Sequence, residues 1–295
     1  MTTAGDGLPG TTTRRPTDWN ATDELGYFYT DPGRDAAHPF FADALRDHVM
    51  QQQGIQHHVT PDRAARNGAS QNGGEPVAIL QAGCLAPMRE LGVSALKRDG
   101  FDISVTVADE DTPLTRKVLG ATREFYDDVV TGDLRSLSIG QRAFDVVYCG
   151  GLLERIRNTE LVLDHLVSTL KPGGLLMIRM ADRRTALALL DRTLPAPLRK
   201  RMWADLRPGV PGPFPAVYER TVSADGMHAY TLMRGLVIAQ QTAEPTLQAN
   251  PARLSSTVRV TCTVITRLTR GRFGDDHDEL LYVIRKPQDR FARVV

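Results

Sequence analysis

The chain has 295 residues, enough to bury a large core as one α/β domain or one domain with an elaboration, and its 41% hydrophobic and 24% charged content is ordinary for a globular protein. Lys and Arg number 36 against 35 Asp and Glu, so a net charge of +1 gives no global footprint for nucleic acid or an anionic membrane. Three isolated cysteines, Cys84, Cys149 and Cys262, without C-x-x-C or a His/Cys cluster, argue against a disulfide scaffold and a metal site and for a reducing compartment.

Residues 1–17 are rich in Thr, Gly, Pro and Arg, predict disorder, and lack the apolar region of a secretory signal. No apolar run reaches the roughly 18 residues of a membrane span, so a cytoplasmic location is expected. Trp19–Gly33 gathers Trp19, Tyr27, Phe28 and Tyr29 before an Asp-Pro-Gly turn and reads as a segment strapped to a surface. Ala36–Gln53 carries Phe40, Phe41, Ala44, Leu45 and Val49 at helical spacing. Gln56–Glu75 is polar and Gly/Asn-rich, a linker whose His57 and His58 are expected to be solvated. Residues 1–75 thus read as an N-terminal extension and 76–290 as the main domain.

Val77–Leu80 is a short apolar run suited to a strand buried on both faces, followed by the small residues Gly83 and Cys84 and a predicted helix over Met88–Asp99. Ile103–Ala108 is a second strand ending at Asp109-Glu110-Asp111, and Thr112-Pro113 opens the next helix. Val129–Thr131, Phe144–Tyr148 and Leu175–Arg179 are strands three to five, with a helix over Leu161–Leu170 and a Lys-Pro-Gly-Gly turn between the last two strands. Arg183–Leu206 is helical with a break at Pro195 and Pro197, Arg207–Pro215 is a loop, Ser223–Met233 a helix and Leu236–Ala239 a sixth strand. Arg253–Leu268 fits strand alternation and a helical stripe; its length favours the helix. Glu279–Arg285 is the last strand. Strands alternating with helices through short connections call for a doubly wound α/β sheet covered on both faces.

In such a sheet the ligand lies at the carboxyl ends of the strands. Asp109, ending strand two, is placed to accept the hydroxyl hydrogens of a ribose, with Glu110 as the adjacent alternative. Asp133, just after strand three, is placed to take a hydrogen bond from an adenine amino group. Asp145, at the opposite end of its strand, reads as structural. Behind a Gly turn, Asp109 and Asp133 together favour an adenosine-containing ligand.

At this point the chain resembles the class I S-adenosylmethionine-dependent methyltransferases, from about Val77 to Gly174 and on to Pro287. ILQAGC resembles that family's first motif, VTVAD its ribose-binding second strand, GDL at 132–134 its adenine-contacting turn, FDVVYCGGLLERI its fourth strand and following helix, and LKPGG at 170–174 its turn before strand five. The resemblance implies a mostly parallel seven-stranded sheet with a reversed last strand. It implies S-adenosylmethionine as cofactor, with Gln81, Gly83, Asp109, Glu110, Asp133, Leu134 and Cys149 around it, and no metal. The first motif departs from the family pattern, with Gln81 at the usual acid and Leu85 and Pro87 at the usual glycines. A small-molecule methyltransferase is the leading reading. Its acceptor side is expected near Tyr218, Glu219, His228 and Tyr230, with His228 as general base. A homodimer is compatible with it. The alternative is a methyltransferase-fold binding or regulatory protein without methylation. An NAD-dependent oxidoreductase is a poorer fit, because the first turn lacks G-x-G-x-x-G.

Overall fold

Apolar runs of four to seven residues can be buried on both faces only inside a sheet, and here they assemble into one. The structure, a computed structural model, describes residues 37–59, 75–84, 88–206, 215–245 and 256–288. The aromatic segment Trp19–Gly33, most of the Gln56–Glu75 linker, residues 207–214 of the Pro/Gly loop, and Leu85 and Pro87 lie outside the described residues. Strands β1 (Val77–Ala82), β2 (Ile103–Asp109), β3 (Asp128–Thr131), β4 (Phe144–Gly150), β5 (Leu170–Ala181), β6 (Val237–Glu244) and β7 (Glu279–Arg285) form a seven-stranded sheet in the order β3-β2-β1-β4-β5-β7-β6. The pairings among β1 to β5 are parallel, and β7 runs antiparallel to both β5 and β6. This is the doubly wound, mostly parallel arrangement with a reversed last strand that the alternation of elements predicts.

Side-chain alternation sorts the strands' residues into two cores. Leu80, Ala82, Ala108, Val147 and Cys149 face one core, closed by Val162, Leu163 and Leu166 of α4 (Thr159–Thr169) and by Met227 and Tyr230 of α7 (Ala224–Met233). Ile79, Val105, Val107, Val146 and Tyr148 face the other. That second face is closed by α1 (Pro39–Val59), α2 (Val93–Arg98) and α3 (Pro113–Thr122). Phe41, Leu45 and Val49 of α1 are fully buried, and the Phe41 ring meets Tyr148 edge-on at 5.5 Å. Each such side chain contributes about 1.5–3 kcal/mol by burial, so α1 is part of the core layer and not an appendage.

Three boundaries differ from expectation, each for a local reason. Helix α1 continues past Gln53 to Val59, so His57 and His58 lie on its last turn and not in a linker. The single helix expected over Met88–Asp99 is a 3₁₀ turn at Met88–Leu91 followed by α2, separated by Gly92 at φ +68°. That left-handed residue turns the chain so that Leu91 and Val93 both enter the core. The Lys-Pro-Gly-Gly turn belongs to β5 itself, which starts at Leu170 opposite Phe144 and bulges before pairing Leu175 with Val146.

The ambiguous segment near 260 is a helix, α8 (Ser256–Leu268). Cys262 is buried against Leu190, Met202 and Leu206, while Val260 and Val264 of the alternating pattern are 61% and 47% exposed. Helices α5 (Ala186–Thr193) and α6 (Ala196–Leu206) complete this third cluster, with the break between them at Leu194-Pro195. Among the described residues, no helix is long and apolar enough to cross a membrane.

Candidate functional site

The strand order reverses between β1 and β4. From β1 the chain winds outward to β2 and β3, then returns to the other side of β1. The crevice outside the carboxyl ends of such strands is the general ligand position of open α/β sheets. The register brings Ala82, Ala108 and Cys149 level across β1, β2 and β4, so Gly83, Asp109 and Gly150 share the sheet's carboxyl edge.

Gly83 continues the ladder one residue beyond β1, donating its N–H to the Ala108 carbonyl at 2.8 Å, and then turns the chain at φ +86°. An added Cβ there would lie 3.4 Å from the Leu152 Cβ and 3.7 Å from the Arg155 guanidinium. These are ordinary contact distances, so it is the left-handed turn, and not the packing of the post-β4 loop, that calls for glycine here. Asp109, 5% exposed, accepts the Cys84 N–H at 2.8 Å through one carboxylate oxygen and the Glu110 N–H at 2.7 Å through the other. Its carbonyl accepts the Gly132 N–H at 3.0 Å, so one residue gathers the ends of β1, β2 and β3.

Glu110 and Asp133 are joined by a residue the sequence reading did not single out. Arg135 donates through Nε to Asp133 at 2.6 Å and reaches Glu110 at 3.4 Å. The Arg135 side chain and its backbone N–H hold the exposed Asp133 carboxyl below its usual range. Leu134 is fully buried in the core beneath this rim. The only sequence cue to Arg135 is its place two residues after Asp133 in the turn, where an arginine side chain can fold back on the carboxylate.

Gln81 is fully buried and donates from Nε2 to the Gly83 carbonyl at 2.9 Å, so its amide braces the turn from within. Cys84 and Cys149 are buried, and burial pushes both thiols well above their ordinary range, with the charge of Asp109 adding to it at Cys84 and that of Glu154 at Cys149. Neither is a thiolate nucleophile at neutral pH.

Beside this turn lies an inner cleft lined by Glu154, Arg155, Asp191, Trp203 and Tyr218, among others. Arg155 donates to the Gly151 carbonyl, and the Glu154 carbonyl accepts the N–H groups of Val217 and Tyr218 at 2.9 and 3.2 Å. These bonds fix Tyr218 opposite the post-β4 loop. Asp191, at the cleft floor, accepts from Trp203 Nε1 at 2.6 Å, Arg199 Nε at 2.8 Å and the Tyr218 hydroxyl at 3.3 Å. At the cleft's edge Asp182 accepts from His277 at 2.9 Å, and the hydrogen bond to Asp182 raises His277 to about 9, with Asp276 adding to it.

Of the four residues expected on the acceptor side, only Tyr218 lines the cleft. Glu219 caps α4, accepting the Asn158 and Thr159 N–H groups at 2.8 and 2.9 Å. The Tyr230 hydroxyl donates to Asp164 at 3.0 Å on the flank of α4. His228 is exposed on α7 and donates to Gln241 at 2.6 Å on the edge strand β6. Four strand spacings separate β6 from β1, roughly 19 Å, so His228 is not brought to the turn. Asp145, at the far end of β4, binds the Ala78 N–H at 2.9 Å and Lys171 Nζ at 2.8 Å, a structural role.

Residues 73–216 match a family model described as a methyltransferase domain. No curated protein matches the chain. Among solved structures it is similar to the [4+2]-cyclase SpnF, at 16% identity and a TM-score of 0.45 over 88% of this chain and 86% of that one. It is similar to an S-adenosylmethionine-dependent methyltransferase from Mesorhizobium loti, at 16% identity and 0.43 over 72% and 91%. A third is phosphoethanolamine N-methyltransferase 2 of Haemonchus contortus bound to S-adenosylmethionine, at 13% identity and 0.43 over 85% and 58%. The family match points to S-adenosylmethionine as cofactor, and the residues at the carboxyl edge suit it, since the Asp109 oxygens keep free lone pairs beside a turn without a Cβ. With its strand order, reversed β7 and methyltransferase-domain match, the chain has the Rossmann-like fold of the class I S-adenosylmethionine-dependent methyltransferases.

Proposed function

We propose that this chain transfers a methyl group from S-adenosylmethionine to a small-molecule acceptor. The observation that carries the reading is the buried Asp109 carboxylate, seated on the Cys84 amide beside Gly83 at the strand-order switch. A carboxylate oxygen can accept more than one hydrogen bond, so beside the Cys84 and Glu110 N–H groups and the Cys84 thiol this group keeps acceptor capacity to offer a ribose hydroxyl. Asp133 and Glu110, tied by Arg135, offer acceptors to an adenine amino group along the β2–β3 rim. Gly83 allows the backbone to approach the ligand closely.

When bound, the cofactor supplies a methyl group already activated on a sulfonium, so the protein's task is alignment of the acceptor and exclusion of water. The inner cleft, of about 40 Å³, has room for a small reacting group and not for a whole acceptor, with Tyr218 and Trp203 as walls and Asp191 fixing both. Glu154 is the carboxylate on the post-β4 loop and is the candidate for taking a proton from the acceptor.

Calorimetric titration with S-adenosylhomocysteine tests the reading. The wild type should bind, and Asp109→Ala should bind about 10- to 150-fold more weakly, the scale of a hydrogen bond to a charged group. Absence of binding by the wild type would refute it. A second reading, a binding or regulatory protein of this fold without methyl transfer, is favoured by Gln81, whose neutral amide is spent on the Gly83 carbonyl. Ligand binding without transfer of a radiolabelled methyl group to any acceptor in a metabolite extract would select it.

A further inference from the structure

A second cleft, of about 600 Å³, opens between the end of β5, the N-terminus of α7 and the turn before β7. Its volume suits a drug-sized ligand. Five of its lining residues are arginines, Arg183, Arg184, Arg192, Arg220 and Arg272, against two carboxylates, Glu160 and Asp225. Both carboxylates are engaged. Asp225 pairs with Arg184, and Glu160 accepts the Thr221 hydroxyl at 3.1 Å. Among the described residues, Arg183, Arg192, Arg220 and Arg272 have no carboxylate partner. Arg192 is half-buried and held by the carbonyls of Ala188 at 3.1 Å and Arg183 at 3.0 Å, while burial and the neighbouring Arg183 charge lower its proton affinity. Arginines thus outnumber carboxylates five to two along this lining, with Asp191 the one further carboxylate whose charge acts on Arg192, in a chain whose net charge is only +1. Phe273 and Ala229 give it an apolar side.

The cleft abuts the acceptor side of the proposed methyltransferase. The Arg192 guanidinium lies 5.6 Å from the centre of the Tyr218 ring, and Tyr218 lines the inner cleft, so the two residues form a shared wall. Planar guanidiniums bind phosphate and carboxylate oxygens in pairs.

We infer that the methyl acceptor is an organic anion, a phosphate or carboxylate ester or acid of small-molecule size, whose oxyanion is held by Arg183, Arg192, Arg220 and Arg272. The inference rests on the methyltransferase reading for the word acceptor, but the anion site stands or falls by itself. An anionic end fixed beyond Tyr218 leaves the rest of such a molecule to reach past that ring towards Glu154.

Thermal shift and calorimetry with three matched probes test it: phenyl phosphate, benzoate and benzyl alcohol. Phenyl phosphate or benzoate should raise the melting temperature and bind, the tighter of the two naming the oxyanion, while benzyl alcohol should do neither. Binding should weaken steeply with added salt. Arg220 and Arg272 are exposed, so Arg220→Gln with Arg272→Gln should leave the fold intact, shown by an unchanged response to S-adenosylhomocysteine, and weaken the anion at least about tenfold. Equal effects of phenyl phosphate and benzyl alcohol, or undiminished anion affinity in the double variant, would overturn the site. A dT10 oligonucleotide binding more tightly than either small anion would overturn the small-molecule assignment. Anion binding without S-adenosylhomocysteine binding would uphold this site and sink the methyltransferase reading; the reverse pattern would do the opposite.

Discussion

The Asp109 carboxylate accepts the Cys84 backbone N–H at 2.8 Å, so the residue that ends β2 also holds the turn that ends β1. A carboxylate at this place has two duties. It is the acceptor offered to a ribose, and it is the partner of two backbone N–H groups at the sheet's carboxyl edge. Sequence position suggests the first duty; only the folded register exposes the second.

Those duties separate in variants. Asp109→Ala removes the acceptor for both amides, and a buried donor left unsatisfied costs about 1–3 kcal/mol. Asp109→Asn keeps one carbonyl oxygen for Cys84 and gives up the charge. Chemical denaturation should therefore rank wild type above Asn above Ala, while S-adenosylhomocysteine affinity should fall in both variants. Equal stability of wild type and Asp109→Ala would show that the Cys84 bond contributes nothing.

Asp145→Ala is expected to act on stability alone. Its buried carboxylate joins the starts of β1 and β5 through the Ala78 N–H and Lys171 Nζ. Losing it strands one partly buried amide and an ammonium that still reaches solvent, a cost of about 1–3 kcal/mol. The site lies at the opposite end of these strands, so affinity for S-adenosylhomocysteine, measured well below the melting temperature, should stay within about twofold of wild type.

Most of the sheet was legible because its signals are local. Val77–Leu80, Ile103–Ala108 and Phe144–Tyr148 are apolar runs that no surface segment could carry, and Thr112-Pro113 is a helix start whose Oγ1 does accept the Thr115 N–H at 3.0 Å. Asp109 was legible for the same reason, as the residue that follows an apolar run. The unread parts are made of distant pieces. Arg183, Arg192, Arg220 and Arg272 come from separate segments that meet only when β5, α5, α7 and the loop before β7 converge. Nothing in the spacing of one arginine points to the others. The misplacement of His228 has the same origin: its position after strand five is correct in order, but α7 lies on the flank of the edge strand.

Stability should carry a pH dependence above neutrality that traces to His277. Its hydrogen bond to Asp182, with the Asp276 carboxylate beside its other ring nitrogen, raises it from 6.5 to about 9 in the folded chain. The folded state thus binds this proton more tightly than the unfolded state. The stabilisation is fully present below about pH 6.5 and is lost as pH rises through about 9. For a partly solvated pair it amounts to about 1–2 kcal/mol. His277→Phe should flatten the fall in melting temperature between pH 6.5 and 9; a slope identical to wild type would assign the titration elsewhere.

Gln81 offers the sharpest test of the turn. Its Nε2 donates to the Gly83 carbonyl in a fully buried setting. In Gln81→Glu an ionised carboxylate would face that carbonyl oxygen, acceptor against acceptor, whereas a protonated carboxyl could still donate to it. Burial and the carbonyl both favour the protonated form, so the new group's folded pKa lies above the unfolded value of about 4.3. The unfolded chain then releases the proton first, and the variant loses stability as pH rises above that value. Melting curves of Gln81→Glu should approach wild type at pH 5 and fall below it at pH 8. S-adenosylhomocysteine changes the balance if its ammonium lies against this position, because a cation favours the ionised form. The ligand should then restore more stability to Gln81→Glu than to wild type at pH 8, and no more than to wild type at pH 5. Equal ligand-induced shifts at both pH values would place the ammonium elsewhere and leave Gln81 as a brace of the Gly83 turn.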